Sequence, residues 1–268
     1  MSEINPPSVA QDYEKFVPFT ARMMAAMRAR ETSRGDRLFN DPYAKKLAGE
    51  DAFQAVDTQL SLRDQAYVAV RTRFFDDVLT HSQLGQFVLL GAGLDTRAYR
   101  IPWAPEVEVY ELDQAEVLAY KADSLKDVVP SCKHHLIAAD LTQPWVEKLL
   151  AAGYDSTAPS LWLIEGLLMY FSETQVHRLL ESVSQLSTHS SQLGLDLINV
   201  NSLEYEAYKG YFQFGTDVPE QLLACYGWQA KVTQPGEADA SFGRYLETPP
   251  PPDALDSMRV FLVTASKD

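Results

Sequence analysis

FVLLGAGLDTR, residues 87–97, is the stretch that decides how the rest of this chain is interpreted. An apolar run leads into Gly91-x-Gly93, and a helix is expected to follow. The glycines permit a tight turn and let a ligand approach the backbone closely. A dinucleotide-binding fingerprint would have a third glycine where Thr96 stands, so that version of the motif is incomplete. The segment therefore predicts a glycine turn at a strand end, which either binds a ligand or simply connects two core elements.

Short apolar runs alternate with amphipathic segments from residue 86 onward. Strands are predicted at 87–90, 107–110, 135–138, 160–164, 194–198, 228–232 and 259–263, and helices at 114–126, 144–152, 172–186 and 219–226. This alternation predicts a doubly wound, mostly parallel sheet. The last strand follows a proline-rich loop without a helix of its own, so we expect it to be antiparallel.

The first 85 residues are predicted to be helical. Segment 20–30 is rich in Ala, Met and Arg, Asp41 before Pro42 is typical of a helix start, and apolar residues recur every four positions in 63–79. We therefore divide the chain into a helical cap, 1–85, and a core, 86–268, with an inserted loop around 200–218. That aromatic loop is either a substrate lid or packing between the cap and the sheet.

Acidic residues follow the next two predicted strands. Glu111 and Asp113 come about 20 residues after the glycines, where a carboxylate can accept hydrogen bonds from ribose hydroxyls. For one of them the alternative is a helix N-cap. Asp140 follows the third strand and can bind the amine of an adenine, with Leu141 supplying its backbone N–H. A cap before the next helix is the alternative for Asp140.

Glu165 ends the fourth predicted strand, in EGLLMYFS. A carboxylate there needs a cation, which is either the ammonium of a ligand or a protein arginine such as Arg71 or Arg97. Because ligands bind at the carboxyl edge of open α/β sheets, we favour the ligand. Together, the glycine turn and the acids at successive strand ends describe a pocket for a nucleoside that carries an amino-acid tail.

Composition narrows the classes of function. A net charge of −14 over 268 residues disfavours a nucleic-acid partner. Cys132 and Cys225 have neither the spacing of a metal site nor the number of a secreted disulfide framework, so no metal is predicted. We find no signal peptide and no apolar run near the ~20 residues that a membrane span needs, so we expect a cytoplasmic protein without a membrane partner.

The sequence resembles the leucine carboxyl methyltransferase-like family of S-adenosylmethionine-dependent methyltransferases, which includes bacterial polyketide-tailoring O-methyltransferases. The resemblance spans nearly the whole chain, in 28–31, 38–44, 70–76, GAGLDTRAYR from Gly91, 110–114, 139–141, EGLLMYFS from Glu165 and 241–244. It implies a class I methyltransferase fold. This is a Rossmann-like α/β fold with a mostly parallel seven-stranded sheet, a reversed C-terminal hairpin and an N-terminal helical cap.

The resemblance also implies S-adenosyl-L-methionine as cofactor and a role for each matching residue. The implied roles are Arg28 and Arg71 for the methionine carboxylate, Glu165 for its amino group, Gly91 and Gly93 along the cofactor, Asp113 for the ribose, and Asp140 with Leu141 for the adenine. Arg30 is near enough in sequence to take the place of Arg28. For Arg71, which shares one amphipathic helix with Arg73, the alternative is an ordinary solvated surface position.

We expect methyl transfer to an oxygen of a small, natural-product-like molecule. A carboxylate acceptor is already ionised and needs no general base, whereas an alcohol needs one. Because His177 and His134-His135 are interpreted as structural, a carboxylate or an acidic phenol is favoured, and no catalytic residue is assigned. Candidates for orienting the substrate are Tyr170, Arg244 and Tyr67, with Arg97, Arg63, Tyr245, Asn199 and Asn201 as further ones.

Three alternatives stay open at the level of sequence. A protein C-terminal carboxyl methyltransferase would share the family's motifs. A nicotinamide-dependent oxidoreductase would share the glycine turn but should have the third glycine. A non-catalytic cofactor-binding module would keep the fold. Oligomeric state is not predicted.

Overall fold

The computed structural model describes residues 17–205, 209–251, 254 and 256–268, so part of the predicted loop around 200–218 lies outside the described residues. The helices are α1 (Phe19–Thr32), α2 (Ala44–Ala48), α3 (Glu50–Gln59), α4 (Leu62–His81), α5 (Arg97–Arg100), α6 (Ala115–Ser124), α7 (Val146–Ala151), α8 (Glu173–Gln185) and α9 (Pro219–Ala224). The strands are β1 (Gln86–Leu90), β2 (Glu108–Asp113), β3 (Lys133–Ala138), β4 (Leu161–Ile164), β5 (Gln192–Ile198), β6 (Trp228–Thr233) and β7 (Val260–Lys267).

The strands form one seven-stranded sheet in the order β3-β2-β1-β4-β5-β7-β6. Strands β1 to β5 are parallel, and β7 runs antiparallel to both β5 and β6. This is the class I methyltransferase arrangement, and it confirms the predicted reversed hairpin. The chain order reverses between β1 and β4, and the glycine turn and Glu165 follow the carboxyl ends of these two strands, the edge at which open α/β sheets bind ligands.

Helices cover both faces of the sheet because its central strands are apolar on both sides. Every residue of β1 and β4 is buried. On one face α8 contributes Val176, Leu180 and Val183 to the core, and on the other face α4 contributes Phe75. A side chain at Gly194 in β5 would come 3.3 Å from the Phe75 ring, so glycine there permits the close approach of α4.

Helices α1, α2 and α3 pack into a separate cluster of small apolar residues. Ala25, Leu47 and Val56 are buried there together with Val68 of α4 and Leu94 of the glycine loop. The cap therefore rests on the side of the sheet where the glycine turn lies. The division at residue 85 stays a prediction, and α4 contacts both the cap cluster and the sheet.

All seven predicted strands are confirmed, and the differences lie in the helices. The helix after the glycine turn lasts one turn, because Ile101 precedes Pro102 and takes an extended conformation. Helix α2 begins at Ala44, later than predicted, and Asp41 accepts hydrogen bonds from the backbone N–H groups of Tyr43 (3.2 Å) and Ala44 (3.0 Å). Helix α3 was not predicted.

Candidate functional site

The glycine turn is fixed to the end of the neighbouring strand. Gly91 and Gly93 have φ values of +66° and +48°, a left-handed conformation that favours glycine. The Gly91 N–H donates to the Leu112 carbonyl (2.9 Å), and the Gly93 N–H donates to Asp113 Oδ2 (2.7 Å). A side chain at Gly91 would come 2.8 Å from Leu167, whereas one at Gly93 would meet nothing closer than 3.8 Å. The turn is therefore crowded at Gly91, whereas a Cβ at Gly93 would make only ordinary contacts, including one with Ala21 of α1 at 3.9 Å.

The two acids of β2 have different surroundings. Asp113 Oδ1 also accepts from the Gln114 N–H (2.7 Å) just before α6, and burial raises the pKa of Asp113. Glu111 is fully buried with Lys121 Nζ at 2.7 Å and His134 Nε2 at 3.1 Å. Lys121 Nζ in turn donates to the Asp95 carbonyl (3.2 Å). Asp113 is therefore the acid that contacts the glycine turn. Glu111 is linked to the loop through Lys121, which contacts the Asp95 carbonyl.

Asp140 and Leu141 follow β3 in a tight turn. Asp140 is exposed, and its Oδ1 accepts from the Thr142 N–H (2.9 Å) and Oγ1 (2.7 Å). These hydrogen bonds lower the pKa of Asp140. The alternative that Asp140 caps the next helix is wrong, because α7 begins only at Val146 with Trp145 at its N-cap.

Glu165 lies between two buried arginines. Its Oε1 is 2.9 Å from Arg71 Nε, and its Oε2 accepts from Arg97 Nη1 (2.7 Å). Both protein partners considered from the sequence are thus in contact with it. The Arg71 side chain is 9% exposed, so the alternative of a solvated surface arginine is wrong for this residue.

Arg97 connects Glu165 to two further carboxylates. Its Nε donates to Asp76 Oδ1 (2.7 Å), and its Nη1 also contacts Asp95. Burial opposes the charge of Arg97, but these acids outweigh burial and raise its pKa. Burial likewise opposes the charge of Asp95, yet Arg97, Arg100 and Arg28 lower the pKa of Asp95 to about 2. The loop after the glycines is therefore held by charge as well as by backbone bonds.

Sequence reasoning missed Asp196 in β5. This carboxylate is fully buried, and it accepts from Arg71 Nη1 (3.0 Å), the Tyr67 hydroxyl (3.2 Å) and the Gly166 N–H (2.6 Å). The available signal was a single charge inside the otherwise apolar strand LGLDLI. It joins α4 to the segment that follows β4.

Helix α1 lies over the glycine turn. Arg28 Nη2 donates to the Leu94 carbonyl (2.6 Å), and Arg28 Nε donates to Asp41 Oδ2 (2.9 Å). Met24, one helical turn earlier, has its sulfur 3.6 Å from Arg71 Nη2. Helix α1 therefore contacts the glycine turn through Arg28, and it contacts Arg71 through Met24, whereas Arg30 points to Asp57 on α3.

Two of the three substrate-orienting candidates lie beside Arg71. Tyr67 donates to Asp196, and burial raises its pKa. Tyr170 is 37% exposed and packs edge-to-face on Phe212, with ring centroids 5.1 Å apart. Arg244 is instead paired with Glu31 at the end of α1, and its Nη2 donates to the Asp36 carbonyl (2.7 Å).

The remaining candidates have partners away from Glu165. Arg63 contacts Tyr245 and Glu247, each at 2.9 Å. The Asn199 side chain donates to the Ser257 carbonyl (2.9 Å) and accepts from the Ser202 hydroxyl (2.7 Å) and the Arg259 N–H (2.9 Å). Among the histidines, His177 contacts the Tyr226 hydroxyl and His135 lies 2.7 Å from Glu108.

A cavity of about 500 Å³ lies elsewhere, between the C-terminal half of α4 and the β6–β7 hairpin, where Val78, His81 and Lys231 line it. It includes none of the predicted cofactor residues. Within the described ranges, no helix combines the length and apolar character of a membrane span, and no group of three or more His, Cys, Asp or Glu side chains is placed to hold a metal.

Comparison with known sequences points to one family. The profile of the leucine carboxyl methyltransferase family matches residues 21–184. A Mycolicibacterium gilvum protein named as an S-adenosyl-L-methionine-dependent methyltransferase is 36% identical, over 90% of this chain and 91% of its own length. A protein of the same description from Parafrankia is 40% identical, over 66% of this chain and 62% of its own length.

Comparison with solved structures shows the same fold. A DUF574 family protein from Streptomyces avermitilis superimposes with a TM-score of 0.64 at 13% identity, covering 96% of this chain and all of that protein. Magnesium protoporphyrin IX methyltransferase from Synechocystis, solved with bound S-adenosylhomocysteine, gives a TM-score of 0.50 at 12% identity over 82% of this chain and 95% of its own. Both likenesses are of fold alone.

Proposed function

The chain belongs to the leucine carboxyl methyltransferase family and is an S-adenosylmethionine-dependent methyltransferase, and we propose that it methylates an oxygen of a small acceptor molecule. The observation that carries this proposal is the convergence of the glycine turn, Asp113 and the Arg71–Glu165 pair at the carboxyl ends of adjacent strands. That edge is where open α/β sheets bind their ligands.

The side chains at this edge fit the cofactor. Asp113, 2.7 Å from the Gly93 nitrogen, offers carboxylate oxygens to ribose hydroxyls beside the uncrowded Cα of Gly93. Arg71 Nε is buried without a well-aligned hydrogen bond, although Glu165 lies 2.9 Å away. A carboxylate and an ammonium on one ligand would give Arg71 and Glu165 each a further partner of opposite sign.

We assign the binding roles accordingly. Arg71 with Arg28 would bind the methionine carboxylate and Glu165 the ammonium, while Asp140 and the Leu141 N–H would bind the adenine. When bound, the cofactor supplies an electrophilic methyl group on a sulfonium. The chain's own contribution is to hold the acceptor oxygen in line with that methyl, since orientation alone can supply several kcal/mol.

The acceptor is proposed to be a hydroxyl that ionises readily, such as an acidic phenol. The arginines considered as partners for a carboxylate acceptor are poorly placed for one: Arg244 and Arg63 pair with Glu31 and Glu247, away from Glu165, and the buried Arg97 contacts Asp76, Asp95 and Glu165 at once. Tyr67 is a poor general base, because burial raises its pKa and its proton is donated to Asp196. A weakly basic oxygen needs neither a strong base nor a dedicated cation.

The pair formed by exposed Tyr170 and half-buried Phe212 supports a flat acceptor. Tyr170 and Phe212 meet edge-to-face, and the Gln213 N–H donates to the Met169 carbonyl (2.7 Å), so this wall is tied to the segment that begins at Glu165. An aromatic ring can pack on such a wall with good geometry.

The test uses cofactor labelled in its methyl group. The purified protein is incubated with a panel of phenols, aromatic carboxylic acids and a peptide with a free C-terminal carboxylate. Mild alkali then separates the products, because it releases methanol from methyl esters and leaves methyl ethers intact. We expect an alkali-stable labelled small molecule. Alkali-labile label on an aromatic acid would move the acceptor to a carboxylate, and label on the peptide would favour the protein carboxyl methyltransferase.

A further inference from the structure

The binding roles assigned above do not include Asp196, but the contacts of this buried carboxylate indicate a role for it. We propose that Asp196 is a positioning residue for the amino-acid end of the cofactor, acting through Arg71 and the Glu165–Gly166 turn. The inference rests on the proposed cofactor site and concerns a residue outside the motifs that define it.

A bare charge at this depth is costly. Asp196 is fully buried in β5, between β4 and β7, where most neighbouring residues are apolar. Removing one partner of a buried ion pair leaves an uncompensated charge, whereas an apolar residue of similar volume would have avoided the cost. A buried aspartate with three donors therefore indicates a requirement for orientation.

The first group that Asp196 orients is the Arg71 guanidinium. Asp196 Oδ2 accepts a hydrogen bond from Arg71 Nη1 at 3.0 Å, and Glu165 Oε1 lies 2.9 Å from Arg71 Nε. Among the described residues, the contact of Nη2 is the Met24 sulfur at 3.6 Å, which is a weak acceptor. Two carboxylates thus fix the plane of the guanidinium and leave Nη2 directed at α1, where the carboxylate of a ligand can be received.

The second group is the turn that carries Glu165. Asp196 Oδ1 accepts from the Gly166 N–H at 2.6 Å, and Gly166 has a φ of +66°. A side chain at Gly166 would lie 3.4 Å from Arg71 Nη1, so the turn and the guanidinium are in direct contact. One carboxylate therefore sets the positions of both charges, Arg71 and Glu165, that would face the carboxylate and ammonium of the ligand.

This placement separates the two ends of the cofactor. The proposed ribose residue Asp113 ends β2 and the proposed adenine residue Asp140 follows β3, on the other side of β1 from β4 and β5. Loss of the Asp196 charge should consequently affect binding of the amino-acid tail and spare binding of the nucleoside. 5′-Methylthioadenosine has the same nucleoside thioether as S-adenosylhomocysteine but lacks the amino acid, so the two ligands measure the two ends.

The experiment compares Asp196→Asn with the unaltered protein by isothermal titration of both ligands. We expect S-adenosylhomocysteine to bind about 10- to 100-fold more weakly, as for loss of a hydrogen bond to a charged group, and 5′-methylthioadenosine to bind as before. Val183→Ala, which creates a cavity where α8 packs on the sheet, is the control: it should lower stability and leave both affinities unchanged. Equal weakening of both ligands, or of neither, would overturn the inference.

Two further variants test the route of the effect. In an Arg71→Met background, Asp196→Asn should weaken S-adenosylhomocysteine by less than it does in the unaltered protein, because only the route through the Glu165–Gly166 turn remains; fully additive losses would contradict this. Gly166→Ala presses on the same contact without removing a charge, and it serves if Asp196→Asn does not fold. It too should weaken only the ligand with the tail. If the unaltered protein binds neither ligand, the proposed function fails, and not this inference alone.

Discussion

At the scale of single residues, Asp95 keeps its charge inside the glycine loop because arginines surround it. Its pKa falls from 3.8 to about 2, so the folded state binds its proton less tightly than the unfolded chain does. A lowered pKa stabilises the folded state above pH 3.8, and this stabilisation is lost as the pH falls toward 2. The stability that Asp95 contributes to the folded state therefore depends on its ionisation.

We predict that Asp95→Asn lowers the free energy of unfolding by about 2 kcal/mol at pH 7, from the size of the pKa shift. The deficit should shrink when urea unfolding is repeated at pH 3. An equal deficit at both values would mean that shape, and not charge, is what the asparagine fails to supply.

Asp113 should make cofactor binding sensitive to acid. Burial raises its pKa above 3.8, and only the ionised form offers both oxygens as acceptors. We predict that the affinity for S-adenosylhomocysteine falls as the pH drops toward that raised pKa, in titrations from pH 7 to pH 4.5. Asp113→Asn should bind weakly throughout with a flatter profile. A profile as steep as that of the unaltered protein would assign the acid sensitivity to another group.

An added methyl group at Gly93 should weaken cofactor binding, which a comparable substitution at another glycine should not do. Its φ of +48° makes alanine cost about 1 kcal/mol in strain, and the added Cβ would enter the space beside the turn. We predict that Gly93→Ala binds S-adenosylhomocysteine more weakly. Gly153→Ala, at another positive φ between α7 and β4, should cost stability and leave binding intact. Equal binding by the two variants would remove Gly93 from the site.

The sequence allowed the partners of Glu165 to be named but did not reveal Asp196. Arg71 and Arg97 belong to recognisable motifs, so they could be proposed in advance. Asp196 lies 125 positions from Arg71, and its importance depends on which strands become neighbours and which side chains become buried. Spacing along the chain carries no information about such a contact.

At the scale of elements, α4 is the helix that presents Tyr67 and Arg71. It begins with a capping box, in which the Asp64 N–H donates to Ser61 Oγ and the Ser61 N–H donates to Asp64. We predict that Ser61→Ala costs about 1 kcal/mol in urea unfolding. The cofactor affinity should not change, because buried ion pairs hold Arg71 farther along the helix.

Ser172→Ala removes the equivalent capping box of α8 and is the matched control. A selective loss of affinity in Ser61→Ala would show that the N-terminus of α4, and not its buried pairs, sets the position of Arg71.

Strands were easier to predict than helices in this chain. Buried parallel strands are continuous apolar runs, and each such run proved to be a strand. The extent of α5 depends on a single proline, and α3 is a short helix whose buried residues Ala52, Ala55 and Val56 have helical spacing but are too small to form a pronounced apolar stripe. Whether such short segments form helices, and where they end, depends on tertiary packing, which the sequence pattern does not show.

At the scale of the whole molecule, the cap and the sheet meet at the proposed site. In α1, Arg28 contacts the glycine loop and Met24 contacts Arg71. A ligand bound at the loop would therefore lie next to α1. We predict that S-adenosylhomocysteine slows amide hydrogen exchange in α1 and leaves α8, packed on the other face of the sheet, unaffected. Uniform protection of both helices would indicate general stabilisation without a local contact.

The position of the cap was the part of the architecture least accessible to sequence. Alternating strands and helices predicted a doubly wound sheet, and the reversed hairpin came from the missing crossover helix and from family resemblance. Nothing in the periodicity of α1 shows that it crosses the glycine turn. That placement depends on Arg28 reaching the carbonyl of Leu94, 66 positions later.

The arginines and acids around Glu165 form one connected cluster with unequal charges. Arg28, Arg71, Arg97 and Arg100 are joined through Asp41, Asp76, Asp95, Glu165 and Asp196, which leaves a formal surplus of one negative charge. A sulfonium cofactor at neutral pH carries one net positive charge, and its thioether product carries none. The cluster would therefore attract the sulfonium cofactor more strongly than its uncharged product, so that each methyl transfer weakens the electrostatic hold on the spent cofactor.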